Sequence, residues 1–418
     1  MRYLILPFII LTISFSTKIV AAEEMIKVKL VQHIGETKKI NLHIKGDYST
    51  LDPTLKLKEG IIYQLSLKKG EFILTGNGEK YSLHDPFILI PKKYNHTQYI
   101  SINNRQYLGA VEFRKEKNQF IRPVNQLPME DYLKGVVPFE VYPSWGIETL
   151  KAQALAARTY AFANLDKEID DTIKYQVYGG FTWNEKTTEA VEETSGEVIT
   201  SQNRLIDAFY SASNGGMTEN NTHVWGGNAK SYLPIKRDPY DPTHPWEFTI
   251  HQTQIKLDEN DWDQPDWWDK LSEIDSSIIN NMKTWLKKNG YPGEIKIVEI
   301  PYFKLSEELL ESKRAVKGSI KIEFLHRLLD GTIVYDHLTL NDVPLNNIRP
   351  LIGGNHFKSY YIESLVKDGE GHYTMKGKGF GHGVGMSQWG AHYMGKAGKN
   401  YKDIIQFYYP GTKIKKIN

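Results

Sequence analysis

The chain has no cysteine. That excludes disulfides, a thiol nucleophile, a cysteine-attached lipid anchor and any cysteine-ligated zinc site. Charge of one sign is lacking as well: 52 basic residues face 50 acidic ones, a formal net charge of +2. No polyanion such as nucleic acid is indicated as a partner, and the local Lys runs are offset by Asp and Glu. After the first residues no apolar run is long enough to span a bilayer, which takes roughly 20 residues. Internal repeats and low-complexity segments are also missing. What remains is a 418-residue chain, 40% apolar and 24% charged. This is ordinary globular composition, long enough for more than one structural unit and for a core that needs no staples.

The N-terminus has its own pattern. Arg2 precedes an apolar run from Leu4 to Phe15, and Val20 and Ala22 place small residues before a cleavage point. This predicts a secretory signal peptide over residues 1–22, cut after Ala22, and hence an exported protein. An uncleaved anchor is the alternative.

The rest predicts an α+β fold. Residues 23–118 alternate apolar and polar positions in short runs, as at Ile26–Leu30, Ile62–Leu67 and Tyr99–Ile102, and form a β-rich N-terminal region. Residues 119–245 carry a long helical pattern and then loops rich in Gly, Asn and aromatics, a mixed α/β core. Residues 246–350 form a long insertion or lid. It has a Trp-rich acidic loop near Trp262–Trp268, a helix near Ile274–Lys288 and strands at Ile295–Ile300 and Ser319–Leu325. Residues 351–418 are a Gly-rich C-terminal part of the core.

The segment from Leu127 to Leu165, LPMEDYLKGVVPFEVYPSWGIETLKAQALAARTYAFANL, carries the chemistry. Pro128, Glu130 and Asp131 start a short helix, since acidic groups suit a first turn, and Gly135 ends it. Pro138 and Pro143 bracket Phe139–Tyr142 and are expected to hold that stretch out of helix. A second helix follows Pro143, with Ile147, Leu150, Ala154, Ala157 and Ala161 on one face. Glu140 thus falls in a constrained turn, where Phe139, Tyr142 and Trp145 are placed to shield it from water. Desolvation would keep its carboxyl protonated near neutrality, as glycosidic-bond cleavage requires of its acid. Taken alone, Glu140 also fits a capping or surface carboxylate. Arg158, mid-helix among alanines, needs a partner. Glu140 or a ligand is expected, and a structural ion pair is the plainer alternative.

That segment resembles the core motif of the SpoIID/LytB family. Three further stretches agree: AFYSASNGGMTENNTHVWGG (Ala208–Gly227), SYLPIKRDPYD (Ser231–Asp241) and GKGFGHGVGMSQWGAHYMG with YYPGT (Gly377–Thr412). The resemblance implies a lytic transglycosylase acting on the N-acetylmuramic acid–N-acetylglucosamine bond of peptidoglycan glycan strands, preferably strands free of stem peptides. It puts the catalytic carboxyl on Glu140 and site roles on Arg158, Lys151 and Gln153. Tyr232, His382, Ser387, Gln388 and Trp389 are expected along a sugar groove, although structural hydrogen bonding suits the Gly-rich block equally. A cell-wall amidase is the implied partner if the chain is a modifier without cleavage of its own, as LytB-type relatives are.

No cofactor and no metal is expected. Some family members carry a Cys/His zinc site, but without cysteine only the scattered His223, His244 and His382 remain. Pro234 stands where the family often has a basic residue, with Lys236 or Arg237 as substitutes. A hydrolase would instead pair two carboxylates across the bond, and Glu148 and Glu219 are the candidates for the second.

Overall fold

The computed structural model describes residues 24–257 and 266–417. The expected signal peptide and most of the Trp-rich acidic loop lie outside them. Among the described residues, no helix is long and apolar enough to cross a membrane.

The fold is α+β and rich in strands. The N-terminal part is two six-stranded sheets sharing one core. In the first, Phe120–Pro128 lies between Met25–Lys29 and Ala110–Glu116, with Phe87–Pro91 and Tyr48–Ser49 beyond. Ile169–Asp170 runs parallel to Met25–Lys29 at the other edge. The second is ordered Glu79–Leu83, Glu71–Gly76, Ile62–Lys68, Lys39–Lys45, Tyr99–Ile102 and Arg105–Tyr107. Period-two patterning makes these strands: in Lys39–Lys45, Ile40, Leu42 and Ile44 are buried while Lys39, Asn41 and Lys45 face water. The register from Met25↔Pro128 to Lys29↔Val124 delivers the chain straight into the helix Met129–Lys134.

The helix Ile147–Phe162 is the hub. Leu150, Ala154, Ala157 and Ala161 pack into the N-terminal core. Ala152, Leu155 and Ala156 pack into a second cluster with Ile199, Met386, Met394, Ile404 and Tyr408. A helix buried on both sides explains its run of alanines, which let neighbours approach closely on every face.

A third cluster runs from Trp246 to Met375. It covers a three-stranded meander, Glu294–Leu305, Lys317–Arg327 and Ile333–Pro344, together with the helices Ser276–Lys288 and Leu345–Ile352. The sheet of Pro245–His251, His372–Lys378 and Tyr361–Lys367 belongs to the same cluster. The chain then returns to the hub. Tyr210–Ser211 pairs in parallel with Met386–Ser387, and helices Gln388–Lys396 and Tyr401–Tyr408 close the second cluster.

Candidate active site

Pro138 does not keep its neighbours out of helix. Val137–Glu140 is a single helical turn with the proline at its start. A proline is tolerated there because the first-turn N–H groups have no intrahelical partner anyway. The turn ends at once, with Val141 extended, so Glu140 is its last residue and projects from a backbone fixed on both sides.

The Glu140 carboxyl has three donors. The Val177 backbone N–H lies 2.7 Å from Oε1, and the side chains of Gln388 and Tyr210 complete the set. Glu140 keeps a partial opening to solvent. Desolvation is the largest influence on it and outweighs the donors, pushing its pKa from 4.5 up to about 7. Among the described residues, none of the groups acting on Glu140 is a second carboxylate. The carboxyl can therefore lose and regain a proton near neutrality.

The donors are themselves held. Gln388, buried in the first turn of its helix, reaches the Oε1 of Gln153 through its Nε2 at 3.5 Å. Gln153 comes from the hub helix and its own Nε2 is buried without a partner. The Tyr210 hydroxyl accepts from Gln176 Nε2 at 3.0 Å, and Gln176 Oε1 accepts from the Tyr132 hydroxyl at 3.1 Å. His382 hydrogen-bonds the Tyr210 backbone, and burial followed by the nearby Arg314 lowers its pKa to about 4. A neutral His382 accepts from the Val384 N–H at Nδ1, 3.0 Å away. The fold thus brings Glu140, Gln388, Gln153 and His382 into one network, in which Gln388 touches both Glu140 and Gln153.

Arg158 is elsewhere, and its expected partner is corrected. Fully buried, it grips Glu130 through Nε and Nη2, both at 2.8 Å, and also bonds Thr194 Oγ1 and the carbonyls of Val191 and Glu197. Every donor it has is engaged away from Glu140, so a ligand has nothing left to take. Lys151 is drawn into ion pairs with Glu193 and Glu148. The Tyr232 hydroxyl is turned to Asp207. Ser387 is buried as a helix cap, its Oγ accepting from Gly390 N–H at 3.0 Å and donating to Asp241 at 2.6 Å. Lys236 lies 3.6 Å over the Phe407 ring and bonds the Phe407 carbonyl, while Arg237 is exposed.

Both candidates for a second carboxylate are occupied. Glu148 accepts from Lys151 and from the Tyr401 N–H. Glu219, fully buried, accepts from His223 Nδ1 at 2.7 Å, from Asn220 N–H and from Ser312, with Arg314 3.8 Å away. Ser312 and Arg314 belong to the segment after Glu294–Leu305, so Glu219 fastens that segment to the core. Arg314 also donates to the carbonyls of Asn214 and Met217, both at 2.9 Å. Gly383, at φ 74, lies against its guanidinium where a Cβ would collide.

Tyr210, Gln176, Val177 and Tyr132 escaped sequence reasoning. Tyr210 stands in the quoted Ala208–Gly227 stretch, yet no spacing rule ties it to Glu140. Val177 acts through its backbone, which its side chain does not advertise. Among the described residues no group of three or more His, Asp or Glu is placed to hold a metal ion.

The SpoIID family model, described as stage II sporulation protein, matches residues 117–201, the stretch holding Glu140, Gln153 and Val177. The chain is 37% identical over 385 residues to the amidase enhancer of Bacillus subtilis, covering 91% of this chain and 53% of that protein. It is 30% identical over 326 residues to an uncharacterised protein of Brachyspira hyodysenteriae, covering 75% and 73%. To stage II sporulation protein D of Bacillus subtilis it is 28% identical over 314 residues, covering 70% and 75%. The chain belongs to the SpoIID family. It spans about half the length of the amidase enhancer, 53%.

Proposed function

We propose that this protein is an exported cell-envelope enzyme that cuts peptidoglycan glycan strands by lytic transglycosylation, with Glu140 as both acid and base. The observation that carries it is a single carboxyl, held by three donors yet desolvated enough to stay protonated near neutrality, with no second carboxylate acting on it among the described residues. Protonated Glu140 gives its proton to the glycosidic oxygen between N-acetylmuramic acid and N-acetylglucosamine. The C1–O bond breaks and positive charge develops at C1. The muramic acid O6 attacks C1, its proton passes to the Glu140 carboxylate, and a 1,6-anhydro ring closes. Val177, Gln388 and Tyr210 steady the carboxylate between the two transfers. Acid–base catalysis of this kind contributes ~10²–10⁴-fold. Glu140→Gln should therefore lower cleavage of peptide-free strands by at least that factor with folding intact, and comparable turnover in the variant would remove Glu140 from the chemistry.

A second reading is favoured by the relative named amidase enhancer. In it the same surface binds glycan and stimulates a cell-wall amidase without cleaving. Faster peptide release from sacculi when the protein is added to an amidase, with no shortened glycan, would establish that role instead.

A further inference from the structure

Beside Glu140 lies a group of aromatic rings that the network around the carboxyl does not use. Trp389 follows Gln388 in sequence and sits at the centre of the group. Tyr142 is 6.0 Å from it between ring centroids, Tyr393 6.2 Å at 28°, and His244 5.3 Å at 35°. Behind them Trp145 is 5.0 Å from Trp389 and stacks on His392 at 4.5 Å, and both are buried. The front members are not. Tyr142 is 60% exposed and Tyr393 38%, while Trp389 and His244 are partly open.

Core packing accounts for Trp145 and His392 but not for the exposed rings of Tyr142 and Tyr393 beside Trp389. His244 is placed there at some strain: it and Thr243 have φ of 44° and 60°, a backbone region that non-glycine residues seldom adopt. The Gly379 N–H holds both of their carbonyls, at 3.1 and 2.8 Å. Strained backbone persists where its surroundings over-determine it, and such positions gather at ligand sites.

We propose that Tyr142, Trp389, Tyr393 and His244 form a stacking shelf for the pyranose rings of a glycan strand, continuous with Glu140. The inference rests on the reading of Glu140 as acting on glycan. A pyranose presents an apolar C–H face and a rim of hydroxyl and amide groups. An aromatic face matches the first, and the polar tips of tyrosine and histidine match the second. Phe139, 42% exposed, packs against Gly179, two residues beyond the Val177 donor, and is not part of the ring group around Trp389.

The test uses the full chain carrying Glu140→Gln, so that binding is measured without turnover. The probes are a peptide-free glycan tetrasaccharide and a neutral tetramer of β-1,4-linked N-acetylglucosamine, titrated by calorimetry. Tyr142→Ala and Tyr393→Ala alter exposed positions, so folding, checked by a thermal melt, is expected to survive. Each should weaken binding of both probes about fivefold or more. Trp389→Ala should weaken it more than about tenfold, the loss typical of a central aromatic anchor, and Trp389→Phe should keep most of it. Binding within twofold of the parent for both tyrosine variants, or no measurable binding by the parent, overturns the shelf. Separate assays of the unaltered chain distinguish the two ideas. Cleavage with normal binding by the tyrosine variants sinks the shelf alone. Weakened binding by those variants without any cleavage by the unaltered chain sinks the acid role alone.

Discussion

Arg158 closes on Glu130 with two parallel hydrogen bonds of 2.8 Å, buried at the centre of the hub helix. Such a fork satisfies a carboxylate at both oxygens. Its Glu130 end also receives the Gly196 N–H, so the pair ties the first helix, the hub helix and the loop before Glu197–Ser201 together. Removing one partner leaves the other uncompensated, at a cost of ~3–5 kcal/mol. Arg158→Ala should lose stability of that order in urea unfolding, and the fraction that folds should retain turnover. Lost turnover at unchanged stability would return Arg158 to the chemistry.

The Gln388 donor holds down the proton affinity of Glu140. Replacing it with leucine removes a hydrogen bond that favours the charged form, so the Glu140 pKa rises. For an acid that must be protonated, the alkaline limb of the pH–rate profile then moves upward, even as the maximal rate falls. Gln153→Ala, which removes the acceptor that positions the Gln388 amide and so weakens its donation to Glu140, should shift the limb the same way by less. An unchanged limb in both variants would mean that neither amide acts on the carboxyl.

The raised pKa of Glu140 also marks the stability curve. Its folded value of about 7 lies above the ordinary 4.5, so between these values the native state holds more protons than the unfolded chain. Stability is lost as pH rises through that window, because ionising the desolvated carboxyl opposes folding. Glu140→Gln should therefore match the unaltered protein near about pH 4 and exceed it near about pH 8, by at most ~3 kcal/mol. Denaturant titrations at the two pH values measure this, and an equal difference at both would show a carboxyl that does not change its proton affinity on folding.

The period-two strand Tyr99–Ile102 was legible in the sequence because burial on one face writes itself into the spacing of apolar residues, and the helix after Pro143 was legible through the apolar face that packs into the N-terminal core. The turn at Glu140 was misread because proline forbids helix interiors but suits first turns, and a four-residue helix, Val137–Glu140, is too short to show a period. Glu140 and the Gln388 segment could be singled out locally, but their contact could not. It depends on the chain leaving for the Trp246–Met375 cluster and returning to pair Met386–Ser387 with Tyr210–Ser211. Arg158 announced that it needed a partner. Only the three-dimensional arrangement showed that Glu130, ten residues before Glu140 in the same motif, supplies it.

Glu219 and Ser312 join the core to the segment that carries Arg314. Glu219→Gln weakens the bonds from Ser312 and His223 and leaves Arg314 without its nearest carboxylate. It should lower the melting temperature by several degrees, in keeping with the 1–3 kcal/mol lost when a buried polar group is left poorly paired. The kind of product released should not change. A switch in product with a normal melt would instead make Glu219 a reacting group.

The most direct measurement is of product ends. The protein is incubated with peptide-free glycan strands in water labelled with heavy oxygen, and the fragments are weighed. Ring closure by the muramic acid O6 adds no water, so the account predicts 1,6-anhydro ends without label, absent with Glu140→Gln. Labelled reducing ends, or intact strands with the unaltered protein, would contradict it.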